Sequence, residues 1–330
     1  IKLDNSPRLT KLYAVNKAFV LGAGLGTRLG KITEYIPKPL IPVFGKPLIE
    51  FAFEHLSRHG FGEFVVNTHH QWQAYHDHFQ QGFYGKTPIT FRHETTLLDT
   101  GGGIDNVSDL LQNDPFMVYN GDILTDLPLN ELLTVHAKNK NLATLVLRST
   151  GANLHVGFDT GSGMVTDIRD LLQTGNKGTH QFTGIYICSP EFLGYLEQGK
   201  KHSVIPVFLE LIKSDALGAM VIDEGKWWDL GTPESYLDAH LEISRSEFPS
   251  YLEGQTADWK KNISREAKIS SGAKIDNASH IGSGASIGTE ATIINSIVWP
   301  GAEIRPGVKI TRCVVRSEAS VHDNLQNVIV

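Results

Sequence analysis

Only two cysteines, Cys188 and Cys313, occur in 330 residues. That excludes a disulfide framework and a cysteine-based zinc cluster, and it fits a reducing compartment. Positive charge is not in excess either: 30 Lys and Arg stand against 36 Asp and Glu, for a net charge of -6. A general nucleic-acid binder is therefore unexpected, and an anionic ligand must be met by individually placed residues. No apolar run is long enough to span a bilayer and no signal-peptide pattern opens the chain, so a cytoplasmic protein without membrane association is expected. What the chain does have is apolar content, at 41% hydrophobic residues, enough for one large domain and a smaller one or two.

Apolar, β-rich runs alternate with helically spaced ones. Residues 17–21, 64–67, 89–91, 116–119 and 143–147 read as strands, and 48–59, 71–81, 103–111 and 129–138 as helices. Such alternation predicts an α/β, Rossmann-like domain with helices on both faces of a mixed, mostly parallel sheet. After residue 150 the strands shorten, near 164–168 and 183–188, with helices near 204–212 and 233–243. The tail obeys another rule. Ile263, Ile269, Ile275, Ile281, Ile287 and Ile293 recur every six residues, with Ala267, Ala273, Ser279, Ala285 and Ala291 in step. A slip of one residue then resets the phase to Val298, Ile304 and Ile310, with Ala302, Val308 and Val314 as companions. Period six is the mark of a parallel β-helix, which neither an α-helix nor an ordinary strand explains. The expected organisation is an extension over residues 1–16, a first domain over 17–243, a linker over 244–262 and a small β-helix over 263–330.

The stretch "VLGAGLGTRLGKITEYIPKPLIPVFGKPL", Val20 to Leu48, carries the first chemical signal. It is not a dinucleotide fingerprint, because Thr27 stands where the third glycine belongs and the second strand ends in Asn67 rather than an acid. It is not an ATPase phosphate loop either, since Gly85-Lys86-Thr87 has no glycine five positions earlier. A strand entering a turn of small residues, Gly22, Ala23, Gly24, Gly26 and Thr27, nevertheless lets backbone N–H groups approach phosphate oxygens, and Arg28 can fork onto them. Lys38, held between two prolines, can present a point charge to the same place. Asp122 follows an apolar strand at the sheet's carboxyl edge, where open α/β folds bind ligands, and Gly121 leaves room beside it.

These residues resemble the signature of the sugar-1-phosphate nucleotidylyltransferases, G-x-G-T-R-L followed by P-K-P. "LLDTGGGI" (97–104), "VYNGDILTD" (118–126), "FTGIYICSPEF" (182–192) and "WWDLGTPESYLDA" (227–239) follow in that family's order, and the tail is similar to the left-handed β-helix fused to many members. The resemblance implies an enzyme that joins a nucleoside triphosphate and a sugar 1-phosphate with release of pyrophosphate, assisted by Mg²⁺. Within the family it resembles members acting on N-acetylmuramate 1-phosphate with UTP, more so in "TGGGI" and "WWDLGT" although those typically lack the tail, and members acting on mannose 1-phosphate with GTP. GTP with mannose 1-phosphate or a related sugar is the expected pair, and a UTP-dependent reaction with N-acetylmuramate or glucose 1-phosphate is the alternative. By the same resemblance Arg28, Lys38 and Asp122 are catalytic, and Asp122 and Asp229 hold the metal, with Asp126 nearby as a substitute. Gly22 to Arg28, Thr100 and Gly102, with Glu94 close, take the nucleotide, and Asn120, Thr183 and Gly184 line the sugar pocket.

One departure is plain. Many members carry Glu-Lys-Pro in the sugar-binding region, and nothing between Leu147 and Thr183 reproduces it; Arg148, Arg169 or Lys177 is expected to serve. His69, His70, His76 and His78 lack the i, i+4 spacing of a zinc helix, and Trp227 and Trp228 are expected to pack at the substrate end. The hexapeptide tail also admits an acyltransferase reading, with His280 or His322 as base, and a non-catalytic regulatory subunit is the third possibility. The tail is expected to cover the first domain and to join subunits into a homo-oligomer.

Overall fold

The computed structural model describes residues 16–246, 248 and 260–330. The expected amino-terminal extension and most of the expected linker lie outside the described residues. From the amino end, β1 (Lys17–Leu21) runs through two 3-10 segments, Thr27–Thr33 and Lys38–Leu40, into a hairpin of β2 (Pro42–Val43) and β3 (Lys46–Pro47). There follow α1 (Leu48–Arg58), β4 (Glu63–Thr68), α2 (Gln73–His78), β5 (Phe83–Tyr84), β6 (Thr87–His93), α3 (Asp99–Asp105) and α4 (Ser108–Leu111). The next elements are β7 (Phe116–Asn120), β8 (Ile123–Thr125), α5 (Leu132–Asn139), β9 (Ala143–Arg148), β10 (Val156–Asp159), β11 (Met164–Ile168) and β12 (Gln181–Cys188). Then come α6 (Ile205–Lys213), β13 (Leu217–Val221), β14 (Trp227–Asp229) and α7 (Pro233–Arg245).

Ten of these strands form one sheet in the order β10-β11-β13-β9-β12-β7-β1-β4-β6-β5. Strands β10, β13, β9, β7, β1, β4 and β6 run one way, and β11, β12 and β5 run against them. The sheet is thus mixed and mostly parallel, as expected. Its central strands are apolar throughout because both faces are covered: Ala18 and Val20 of β1 join a core with Phe53 and Leu56 of α1, while Phe19 points the other way to Ile104, Val107 and Phe208. The glycines 101–103 lie inside α3 rather than ahead of it, so the helix begins earlier than the apolar spacing suggested.

The tail is a coil of short parallel strands on three faces. Ile269, Ile287, Ile304 and Val321 stack on one face, Ile275, Ile293, Ile310 and Leu325 on the second, and Ile281, Val298 and Val315 on the third. Ala285, Ala291 and Ala302 are fully buried at the companion positions, and Val308 is buried at another. The one-residue slip falls at Asn295, whose φ of 45° tightens that corner. A third core joins the tail to the first domain: Leu29, Ile32, Ile41, Val43 and Phe44 pack with Tyr236 and Leu237 of α7 and with Ile297, Trp299 and Val314 of the coil.

Candidate active site

At the carboxyl end of β1 the chain turns sharply beneath β4. The Gly22 N–H donates to Asn67 Oδ1 at 2.8 Å and its carbonyl accepts from Tyr75 Oη at 2.9 Å. A Cβ on Gly22 would lie 2.6 Å from the Asn67 carbonyl oxygen, so only glycine allows this approach. Ala23 and Gly24 then face a cavity of about 390 Å³, lined also by Leu21, Lys38, Pro39, Asn67, Glu94, Leu97, Asp99, Thr100, Asn120, Asp122 and Lys201. Gly26 takes a left-handed φ of 64° and starts the 3-10 segment that carries Arg28.

The next two strand ends deliver the carboxylates. Gly121 N donates to the Leu21 carbonyl at 3.0 Å and presses so close that a Cβ would meet that oxygen at 2.5 Å, which sets Asp122 beside the turn. Strand β14 pairs antiparallel with β8, matching Asp229 with Ile123, and so brings a residue far along the chain next to Asp122. Lys38 is only 5% exposed, and its ammonium reaches Asp122 Oδ2 at 2.7 Å and Asp229 Oδ1 at 3.5 Å. Arg28 Nη2 lies 3.9 Å from Asp229 Oδ2 at the rim, with Gly231 leaving room for its guanidinium. Two carboxylates within reach of one cation are the donor set Mg²⁺ accepts, since it fills its remaining positions with water and phosphate oxygens. Among the described residues no three or more His, Cys, Asp or Glu side chains gather as a metal cage.

Several expected residues do other work. Asp126 Oδ1 accepts from the backbone N–H of Lys226, which fixes the entry to β14 and leaves Asp126 committed there. Gly102 does not open onto the cavity: its N–H donates to the His202 carbonyl at 3.1 Å and a Cβ would strike the Lys200 carbonyl at 2.5 Å, so the glycine run lets α3 dock on the loop over 197–204. Thr100 lines the cavity, yet its Oγ1 accepts from Val204 N at 3.0 Å. Thr183 is buried with its hydroxyl on the Val146 carbonyl at 2.9 Å, where it supports a register shift in β12. Gly184, with φ of 83°, makes room for the Asn120 side chain, and of the three expected sugar contacts it is Asn120 that lines the cavity.

None of Arg148, Arg169 and Lys177 lines the cavity; Arg148 is spent on the carbonyls of Asp223 and Gly225. The second cation lining the cavity, beside Lys38, is Lys201, which follows no motif and so was not legible in the sequence. Asn67 was missed as well: its Nδ2 donates to Glu94 Oε1 at 2.7 Å, and Glu94 Oε2 accepts from Leu98 N at 3.0 Å, so one buried pair holds the turn and the cavity wall together. A polar residue closing an apolar strand was the available signal. Trp227 donates to the Thr183 carbonyl at 2.9 Å and Trp228 to Glu242 at 2.9 Å; both pack against apolar cores and neither lines the cavity. The histidines near residue 70 have ordinary partners: His69 meets the Glu94 carbonyl and His78 meets Glu50.

A profile described as Nucleotidyl transferase matches residues 17–246. The chain belongs to the nucleotidyl transferase family. It is 32% identical over 242 residues to the mannose-1-phosphate guanylyltransferase of Mycobacterium tuberculosis, covering 71% of this chain and 66% of that protein. It is 29% identical over 243 residues to the UTP–glucose-1-phosphate uridylyltransferase of Synechocystis, covering 68% of this chain and 62% of the relative. Against the D-glycero-alpha-D-manno-heptose 1-phosphate guanylyltransferase of Campylobacter jejuni it is 28% identical over 225 residues, 67% of this chain and 96% of the relative. The match thus spans less than two thirds of the Synechocystis protein's own length. No helix among the described residues is long and apolar enough to cross a membrane.

Proposed function

We propose that the chain transfers a nucleotidyl group from a nucleoside triphosphate to a sugar 1-phosphate. The observation that carries this reading is Lys38, a buried ammonium bridging Asp122 and Asp229 beside a glycine turn at the carboxyl end of the sheet. An oxygen of the sugar phosphate attacks the α-phosphorus, the new O–P bond forms, and the bond to the β-phosphate breaks with pyrophosphate leaving along the same line. The attacking phosphate is already ionised near neutral pH, so no general base is called for, and the difficulty is to bring two anions together. In this reading Ala23 and Gly24 receive the triphosphate, Arg28 neutralises its outer end from the rim, and Lys38 meets the reacting phosphate. Lys201, which lines the same cavity as Lys38, takes the sugar phosphate in place of the absent Glu-Lys-Pro lysine. Asp122 and Asp229 would hold Mg²⁺, which supplies further charge neutralisation when bound.

The guanylyltransferases among the relatives support GTP with a mannose-type sugar 1-phosphate, and the Synechocystis enzyme keeps UTP with glucose 1-phosphate as the alternative. Residues 17–243 form the catalytic unit and 263–330 the β-helix, in a protein at work in the cytoplasm. The test is a pyrophosphate-release screen crossing GTP, UTP, dTTP, CTP and ATP with mannose, glucose, heptose and N-acetylmuramate 1-phosphates, with and without Mg²⁺. Metal-dependent release with one preferred pair is expected. No release with any pair would sink the reading.

A further inference from the structure

The β-helix touches the two stretches of chain that carry Arg28 and Lys38. Arg316 Nη1 donates to the Lys31 carbonyl and to Glu34 Oε2, each at 2.9 Å, its Nε donates to the Val330 carbonyl at 3.2 Å, and its guanidinium lies 5.7 Å from the Tyr35 ring centre. Lys31 and Glu34 belong to the turn of chain that begins with Arg28. Thr33 Oγ1 donates back to the Gly26 carbonyl at 3.0 Å, which ties the end of this turn to its start. On the second stretch, Trp299 Nε1 donates to Tyr236 Oη at 3.0 Å, and that hydroxyl donates to the Pro42 carbonyl, four residues after Lys38. Leu29 and Ile32 beside Arg28, and Ile41 and Val43 after Lys38, share one apolar core with Ile297, Trp299 and Val314 of the coil.

We propose that the β-helix is a positioning part of the catalytic apparatus, with Arg316 setting the place of Arg28 and the Trp299–Tyr236 relay setting that of Lys38. Arg28 is loosely held by its own contacts. Its side chain is 67% exposed and its nearest carboxylate is 3.9 Å away, a contact that orders a long side chain weakly. The position of its charge is therefore inherited from the backbone of residues 26–34, and the forked contact of Arg316, to a carbonyl, a carboxylate and a second carbonyl, fixes that backbone in direction as well as distance. A shift of about 1 Å in such a group is enough to cost orders of magnitude in rate. The inference rests on the proposed function for the role of Arg28, and its structural half does not.

The test uses the full chain with Arg316→Ala, Arg316→Lys, Glu34→Ala, the Arg316→Ala/Glu34→Ala pair and Tyr236→Phe. Amide exchange over residues 26–35 is followed alongside KM for each substrate. Arg316→Ala is expected to speed exchange in that segment and to raise KM for the triphosphate about ten-fold, with KM for the sugar phosphate within about two-fold, a split that general loss of structure does not produce. Arg316→Lys restores part of the difference, and the paired variant is no worse than Arg316→Ala alone because both act through one contact. Tyr236→Phe lowers kcat with the triphosphate KM retained. Unchanged exchange and unchanged triphosphate KM in both Arg316→Ala and Glu34→Ala would overturn the proposal, as would an equal rise in both KM values. If the unaltered protein releases no pyrophosphate from any pair, the functional reading fails, and the exchange measurement alone then decides whether Arg316 holds the segment.

Discussion

Gly22 and Gly24 sit two residues apart in one turn and meet opposite demands. A methyl at Gly22 would press on the Asn67 carbonyl at 2.6 Å and on Val66 at 2.9 Å, whereas one at Gly24 meets nothing within 4 Å. Gly22→Ala is therefore expected to cost stability, about 1–3 kcal/mol by denaturant titration, since backbone must move to admit the methyl. Gly24→Ala should unfold at the same denaturant concentration as the unaltered chain yet raise the triphosphate KM, because the methyl enters the cavity. Lys38→Met keeps the stem and removes the charge; kcat/KM is expected to fall by about 100-fold or more while the protein remains folded by circular dichroism. A variant retaining most of its activity would remove Lys38 from the mechanism. Lys201→Ala tests the cation that only the tertiary structure brought in: a raised KM for the sugar phosphate with little change for the triphosphate is the expected pattern, and the reverse pattern assigns Lys201 to the nucleotide.

At the scale of elements, the hairpin of β2 and β3 does more than link Lys38 to α1. Its tip residue Phe44 stacks on His240 of α7 at 4.6 Å and meets His280 of the coil edge-on at 5.3 Å. Burial pushes the His280 imidazole down to about 4 from 6.5, and burial followed by the neighbouring His280 holds His240 well below its ordinary value. Burial does the same to His136, to about 4, and to His55, to about 3. In each case the folded state prefers the neutral ring, so below pH 6.5 the unfolded chain binds more protons and stability is lost as pH falls from there towards 4. Each such histidine contributes a slope of about 1 kcal/mol per pH unit inside that window. Denaturant titrations at steps between pH 7 and pH 5 should show the loss, and His280→Gln should flatten it by one histidine's share. Element positions were legible where one period dominated: β1 was bounded correctly from its apolar run, and the six-residue repeat marked the parallel strands of the coil. The start of α3 was not, because three glycines conceal helical spacing and only the docking against residues 197–204 explains them.

In the whole molecule the two parts share a core, since Leu29, Ile32, Tyr236, Ile297, Trp299 and Val314 pack as one cluster. A chain ending at Ser246 would leave that face of the first domain open to water. Its expected behaviour is aggregation or binding of an apolar dye, and a monodisperse, dye-silent product would show that the first domain stands alone. Sequence by itself determined the α/β sheet with its turn of small residues and the repeat in the tail, because each depends on neighbours along the chain, through backbone geometry or a fixed period. Tertiary structure alone decided the pairing of β14 with β8, the entry of Lys201 and Asn67 into the cavity, and the reach of Arg316 to the segment of Arg28. Those contacts join residues tens to hundreds of positions apart, and no local period records which distant side chains a folded sheet and coil will bring face to face.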